Sequence, residues 1–409
     1  MSVLFKIALR NLWRHKRRSI ITGAAISLGL GMLMFSSGGT DGMTNNMVEK
    51  GTGSAAGHVV IQGPGWQESR DMEIVVPDSP AVAAKLADTL PEATIVQRVW
   101  FEGLLTSPSG AMGAGLTGVQ PGPESLVNDI DDKIVEGAYL EGPGEGIVLG
   151  RTLAESLDVG IGDKVVLMSQ NGGEIQNRLF RVRGIFAIGI EEIDGFYAQI
   201  PLGAAQEMLG LGTGVNQVSA HLPSARDTER ATLAAREAFA GQDLDVLAWQ
   251  EALPELAEYV ASEQGEIYVM YSIIFVMVAL GILNTVLMSV FERMREFGVM
   301  LSVGTSPSRL ARLVLIEASL LGVFAVAAGI GIGLLANWPL ATHGLDMSAL
   351  TGGTVEVAGF ALDMVIYSDL DPVKVVWYAI AVWLMTLLSA VYPAYKAATL
   401  KPIECLQHR

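Results

Sequence analysis

The chain has 409 residues, 50% of them hydrophobic, and a formal net charge of −16, with mean hydropathy +0.40. So apolar a composition at this length argues against a wholly soluble protein. The acidic balance argues against a nucleic-acid surface, which needs clustered lysine and arginine to neutralise phosphate. Residues 3–18, VLFKIALRNLWRHKRR, put Leu4, Ile7, Ala8 and Leu12 on one helical face and basic residues on another. That is the pattern of an interfacial helix running into a membrane span.

Four windows nearly free of charge are long enough to cross a bilayer: 20–37, 267–291, 318–336 and 375–395. Lys6, Arg10, Arg14, Lys16, Arg17 and Arg18 before the first window also match a signal peptide. No small-x-small cleavage site precedes SSGGTDGMTNN, so the window is read as an uncleaved span. Three basic segments border spans: the N-terminus, the stretch with Arg293, Arg295, Arg309 and Arg312, and the tail with Lys396, Lys401 and Arg409. The positive-inside rule puts all three, and hence both termini, in the cytoplasm and residues 41–266 outside. The expected spans are 19–40, 267–291, 310–336 and 374–395, with an outer loop at 337–373 and a tail at 396–409. Cys405, the single cysteine, falls in that tail, so the outer segment has no disulfide. A domain of about 225 residues buries enough core without one.

In the outer segment, 58–63 and 94–107 read as strands around a helix at 79–90. The order returns at 215–222 (strand), 225–240 (helix) and 244–249 (strand), which implies one α/β subdomain interrupted by an insertion at roughly 101–212. The insertion is richer in glycine and strands. Its hairpin tip is QNGGE, with Gln170, Asn171, Gly172, Gly173 and Glu174, the two glycines supplying positive φ. GTGSAAG at 51–57 precedes a strand rather than following one, so it fails the dinucleotide-binding context and reads as a flexible lead. A helical pattern over 249–266 carries into the second span, with a flexible juncture at Gly265 as the alternative.

Catalytic motifs are missing. His15, His58, His221, His343 and His408 are scattered, with no pair at metal-ligand spacing. No G-x-x-x-x-G-K-[ST] phosphate loop and no G-x-S-x-G elbow occurs. The chain is therefore read as having no catalytic residues, no metal site and no cofactor of its own. In the third span Ala325, Gly329 and Gly333 form a small-residue stripe suited to close helix packing. Glu317, near the cytoplasmic end of that span, is expected to pair with Arg312. Between the second and third windows, FERMREFGVMLSVG puts Met294, Phe297, Leu301 and Gly304 on one helical face and Glu292, Arg293, Arg295 and Glu296 on the other. Gly304 ends this helix, and Ser306 with Pro307 starts the next. A groove in a cytoplasmic partner explains both faces.

That stretch, continued as NTVLMSVFERMREFGVMLSVGTSPSRLARLVLIEASLLG, resembles the pattern N-x(n)-R-x-x-E-[IF]-G-x-[LM]-x-x-x-G-x-[ST] followed by a span beginning near Glu-Ala. YPAYKAATLKPIECLQ resembles a P-A-x-x-A-x-x-x-x-P-x-E-x-L ending. These are features of the MacB/FtsX superfamily of ABC transporter permeases. EGIVLGRTLAESLDVGIGDKVVLMSQ, FRVRGIFAIGIEEIDGFYAQIPLGAAQEMLGL and VLAWQEALPELAEYV are most similar to the LolC/LolE lipoprotein-releasing permeases.

The resemblance implies a fold of four transmembrane helices plus a large α/β extracytoplasmic domain. That domain has MacB-like porter parts at 57–100 and 213–250 and a Sabre-like insertion at 101–212. It implies a bacterial inner-membrane protein with a periplasmic domain, acting as a homodimer or a LolC/LolE-like heterodimer. Two copies of a separate ATPase bind ATP and Mg, and the helix at 292–304 is their coupling helix: Glu292, Arg293, Arg295, Glu296, Phe297, Gly298, Leu301 and Gly304. Lipoprotein cargo leaves the outer leaflet for a periplasmic carrier chaperone. Met32, Met34, Phe35, Met270, Ile274 and Met277, at the outer ends of the first two spans, would line an acyl-chain cavity. One departure stands out: where such permeases carry a longer, proline-containing chaperone hook, this chain has only the short MSQNGGEIQNR loop. Two other functions fit the superfamily: export of peptides or small amphiphiles, and regulation of a cell-wall hydrolase without transport. The large outer domain argues against the last.

Overall fold

The protein is described from a computed structural model that covers residues 3–14, 16–171, 174–346, 355–357, 360–362 and 365–399. The chain divides into two compact units: residues 1–44, 262–345 and 365–409, and residues 45–261 with 346–364. Helix α1 (Val3–Arg14) is followed by α2 (Lys16–Gly51), whose 36 residues exceed the ~20 a bilayer requires. The chain then enters a π-helical turn at Thr52–Ala56 with Thr52 and Ala56 buried. GTGSAAG is therefore not the flexible lead expected of it. Arg98 donates from Nη2 to the Gly53 carbonyl at 2.7 Å, and Gln217 donates from Nε2 to the carbonyls of Ala55 and Ala56 at 3.1 and 2.7 Å. These long-range bonds satisfy carbonyls that an unanchored glycine-rich segment would turn to water.

The outer unit is built on strands β1 (Val59–Gln62), β2 (Thr94–Thr106), β3 (Ala111–Val119), β4 (Ile134–Gly137), β5 (Gly146–Gly150), β6 (Lys164–Asn171), β7 (Glu174–Phe186), β8 (Tyr197–Pro201), β9 (Gln217–His221) and β10 (Asp245–Ala248). They form one sheet in the order β10-β1-β9-β2-β3-β8-β5-β7-β4, with β6 paired to β2 and β7. β2 serves two neighbourhoods: Thr94–Arg98 pair with β9, and Val99–Thr106 pair with β3. Its alternation is a strand period, with Val99, Phe101 and Leu105 buried and Glu102 and Leu104 exposed. Helices α3 (Ser79–Thr89) and α6 (Thr228–Ala238) bury Val82, Leu86, Ala231 and Ala235 in the same core as Val59, Ile61, Val218 and Ala220. Asp78 caps α3 and Pro80 stands in its first turn, a start pattern readable from sequence. Helices α4 (Arg151–Leu157) and α5 (Leu202–Leu209) bring Leu153, Leu157 and Met208 to Leu116, Leu167 and Phe180.

The chain returns to the membrane unit through α7 (Pro254–Glu292), which is helical through Gly265, then α8 (Met294–Ser302), α9 (Pro307–His343) and α10 (Pro372–Ala398). Among the described residues, four helices are long and apolar enough to cross a membrane: α2 with its π turn, α7, α9 and α10. Within the outer loop expected at 337–373, α9 runs on to His343. Two short ladders follow, Leu345–Asp346 with Val365–Ile366 and Val355–Val357 with Phe360–Leu362. The membrane unit packs α2, α9 and α10 through Leu30, Leu33, Ala318, Ala325, Val382 and Ala390. Lipid offers apolar groups as good a home as protein does, so close backbone approach must hold these helices together. Ser27 donates to the Ala325 carbonyl at 2.8 Å, and a Cβ at Gly329 would sit 3.0 Å from both the Leu30 side chain and the Ser27 carbonyl oxygen.

Candidate functional site

The turn between α7 and α8 gathers more charged side chains into one partly buried network than any other place described in the membrane unit. Arg293 leaves the helical ladder at φ −103° and ψ 10°, in the sparsely populated bridge region where chains change direction. Its side chain is only 7% exposed. Nη1 donates to Glu317 Oε2 at 2.7 Å and Nε to Glu296 Oε2 at 3.2 Å, and the guanidinium lies 4.9 Å from the Phe297 ring centroid. Glu317 Oε1 accepts from Asn11 Nδ2 at 2.5 Å. Arg18 reaches Glu292 at 3.5 Å and donates to the Thr285 carbonyl. Side chains from α1, α2 and α9 thus converge on one turn, around a cavity of about 50 Å³ lined by Asn11, Arg18, Thr22, Arg293 and Glu317 among others. A buried ion pair persists only where further bonds satisfy both partners, and here Asn11 and Glu296 supply them. Arg312, the partner expected for Glu317, is exposed. It lies five residues before Glu317, which turns it well off the Glu317 face of a 3.6-residue helix.

The residues expected to touch an ATPase separate into two sets. Phe297 and Gly298 are buried and Leu301 is partly buried against the membrane unit's own core, with Met300 beside it. The apolar face of α8 therefore packs inward rather than into a partner's groove, and Arg293 is buried with it. Glu292, Arg295, Glu296 and Gly304 are exposed. Val299 and Val303, 48% and 82% exposed, complete an outward face of mixed charge and hydrocarbon. Sequence reasoning missed this pair; their i, i+4 spacing beside Arg295 was the available signal. Gly304 at φ +96° ends the turn, a conformation side chains disfavour. Ser306 is extended and Pro307 opens α9, but the Ser306 hydroxyl makes no capping bond and shares a hydrogen bond with Ser308.

The six acyl-cavity residues do not share a cavity within this chain. Met34 is fully buried against Gly333, Ile274 is half-buried, and Met32, Phe35, Met270 and Met277 are exposed. The split follows helical spacing: Met32 and Met34 lie two residues apart, which places them on different sides of α2. In the hairpin, Gln170 is exposed and the β6–β7 ladder pairs as far as Asn171 with Glu174; Gly172 and Gly173 lie outside the described residues.

A second buried network stands in the outer unit. Arg98 and Glu124, 0% and 1% exposed, form a bidentate pair with contacts of 2.8–3.2 Å, and Asn128 donates to Glu124. His58 and His221, remote in sequence, meet edge to face at 6.4 Å. His58 Nδ1 accepts from the Leu222 amide at 3.1 Å, and His221 shares a hydrogen bond with Ser219. Burial lowers the His58 pKa to about 4, and burial with the nearby Arg98 charge pushes His221 well below its ordinary value. Both rings are neutral near pH 7.

Two family models match the chain: the MacB-like periplasmic core domain over residues 19–238 and the FtsX-like permease C-terminal domain over 268–402. The chain belongs to the MacB/FtsX family of ABC transporter permeases. Among its relatives, the lipoprotein-releasing system transmembrane protein LolC of Xylella fastidiosa (strain 9a5c) is 27% identical over 311 residues, 72% of this chain and 73% of that protein. LolE of Haemophilus influenzae is 24% identical over 75% of this chain and 76% of its own length. The macrolide export protein MacB of Vibrio parahaemolyticus is 32% identical over 127 residues, 31% of this chain and 16% of its own. The solved periplasmic region of MacB from Actinobacillus actinomycetemcomitans aligns at 14% identity over 47% of this chain and 90% of that one, with a TM-score of 0.35. By its own helices and the family models, the permease joins four candidate membrane-spanning helices, among the described residues, to a large α/β unit of periplasmic type.

Proposed function

We propose that this permease is the transmembrane subunit of an ATP-driven transporter that extracts lipoproteins from the outer leaflet of the inner membrane. The observation that carries the mechanism is the α8 turn. It is clamped from behind by Arg293, Glu317 and Asn11 and presents Arg295, Glu296, Val299 and Val303 outward. A helix held this firmly transmits a push rather than absorbing it. Two copies of a cytoplasmic ATPase, which hold the ATP and Mg, dock on this face in a dimer of permeases. Both termini are cytoplasmic and the outer unit is periplasmic. The cargo class is supported by similarity to relatives named lipoprotein-releasing along most of the chain.

Depletion tests the cargo: outer-membrane lipoproteins are expected to accumulate in the inner membrane, and normal sorting would reject the reading. A charge reversal on the exposed side that leaves the Arg293–Glu296 bond in place, Arg295→Glu, tests the docking face. ATP hydrolysis is expected to lose its link to transport while the protein still inserts; unchanged transport removes the assignment. The short hairpin favours a second reading, export of peptides or small amphiphiles, because it shortens the surface a carrier chaperone would grip. Purification in mild detergent with mass spectrometry separates the two. An ATPase with triacylated lipoproteins supports extraction, and an ATPase with a periplasmic adaptor and no lipoprotein supports export. The count of permease species settles homodimer against heterodimer.

A further inference from the structure

Helix α1 has two different faces. Leu4, Ile7 and Ala8 pack into the membrane unit, Ala8 fully buried, and Asn11 bonds Glu317 on the same side. The apolar stripe read from sequence as the interfacial face is thus used up by protein. The opposite side carries Phe5, Leu9 and Trp13 at i, i+4 and i+8, with Lys6 and Arg10 next to them. Leu9 is 41% and Trp13 73% exposed, and both cations are exposed. The Lys16 ammonium stands 5.6 Å from the Trp13 ring centroid. At the start of α2, Arg17 is exposed as well. Water alone does not favour that much exposed hydrocarbon, and a hydrocarbon phase does not favour four cations. The headgroup layer of a membrane accommodates both. Indole rings prefer that depth, and lysine and arginine gain there when the lipid is anionic.

We propose that the outer face of α1 is a binding surface for anionic phospholipid, with Leu9 and Trp13 inserted at headgroup depth and Lys6, Arg10, Lys16 and Arg17 on the lipid phosphates. Through Asn11 and Glu317 the same helix touches the α7–α8 turn, so lipid gripped on one side of α1 steadies the coupling turn on the other. The proposal rests on the reading of this end of the bundle as bordering the cytoplasmic leaflet.

The test uses the full chain with a Cys405→Ser background and a bimane label on Leu9→Cys, reconstituted in nanodiscs of phosphatidylcholine with or without phosphatidylglycerol. A blue shift and quenching by nitroxide-labelled lipid are expected in discs with phosphatidylglycerol. Both are expected to fall in pure phosphatidylcholine and on raising salt, because screening weakens the electrostatic part. They are expected to be lost in Lys6→Glu/Arg10→Glu/Arg17→Glu, with the milder Lys6→Gln/Arg10→Gln intermediate. Equal quenching in both lipids, or a shift that appears only when a cytoplasmic ATPase is added, overturns the proposal; the latter would assign the face to a protein. A nanodisc exposes both leaflets, so this result does not depend on orientation. An impermeant maleimide applied to intact cells reads the orientation separately.

Discussion

Glu317 shows how one side chain can govern a turn formed by residues far from it in sequence. Its two oxygens hold Arg293 at 2.7 Å and Asn11 at 2.5 Å, so replacing it leaves a buried guanidinium with Glu296 alone. Removing one partner of a buried pair costs roughly 3–5 kcal/mol in soluble proteins. Glu317→Gln is therefore expected to lower the melting temperature in detergent strongly, while Arg295→Ala, on the exposed face, stays within about 0.5 kcal/mol of the parent. Arg293→Gln combined with Glu317→Gln is expected to recover much of the loss, because no charge is then left unpaired. A double variant as unstable as the sum of its singles would show that the pair is not coupled. His58 gives the pH counterpart. Its folded pKa of about 4 lies below the ordinary 6.5, so the neutral ring is the one folding favours. The stability it contributes is whole above pH 6.5 and is lost as pH falls from 6.5 towards 4, on the order of 2–3 kcal/mol. His58→Asn keeps an acceptor for the Leu222 amide and removes the proton site. It is expected to reduce that loss, leaving the share that belongs to His221, whose pKa is lowered in the same way, as denaturation at pH 7 and pH 4.5 would reveal.

Among the elements, α9 depends on its glycines unequally. A Cβ at Gly329 would lie 3.0 Å from the Ser27 carbonyl oxygen, which is backbone and cannot swing away, whereas a Cβ at Gly331 meets nothing within 4 Å. Gly329→Ala is expected to destabilise the bundle by roughly 1–3 kcal/mol through overpacking, and Gly331→Ala to be neutral; equal melting temperatures would refute the packing role. This stripe was legible in the sequence because helix spacing alone puts Ala325, Gly329 and Gly333 on one side. The strands of the outer unit were legible too: the β-branched and aromatic run at 94–107 reads as a strand, and β2 spans Thr94–Thr106. What stayed hidden depends on contacts between distant residues. GTGSAAG looks loose until Arg98 and Gln217 hold its carbonyls. The apolar face of α8 looks ready for a partner until Phe297 is found in the chain's own core. His58 and His221 are 163 residues apart and meet only because β1 pairs with β9. Periodicity says which face of an element is apolar, and tertiary contacts decide what covers it.

At the scale of the whole molecule, the proposed ATP-driven mechanism requires a push at α8 to reach the outer unit along the chain itself. The chain passes between the two units inside helices: the division falls at 44/45 within α2 and at 261/262 within α7. Of the two, α7 is the direct route, because it ends at Glu292 beside the Arg293 turn. An unbroken helix resists bending along its length, and a break in its hydrogen-bond ladder removes that resistance. Gly265 offers a clean place to test this, since it is exposed and its Cβ position is open. Gly265→Ala fits and favours helix by up to about 1 kcal/mol, so transport should be kept or slightly improved. Gly265→Pro removes an amide and clashes with the preceding turn, at a cost of about 3 kcal/mol or more, paid locally as a kink. With the α8 face untouched, ATP hydrolysis in proteoliposomes is expected to stay within about twofold of the parent while cargo release falls by about tenfold or more, the equivalent of ~1.4 kcal/mol at the coupled step. Release that survives the proline would move the transmission route to α2, whose π-helical turn is anchored by Arg98 and Gln217.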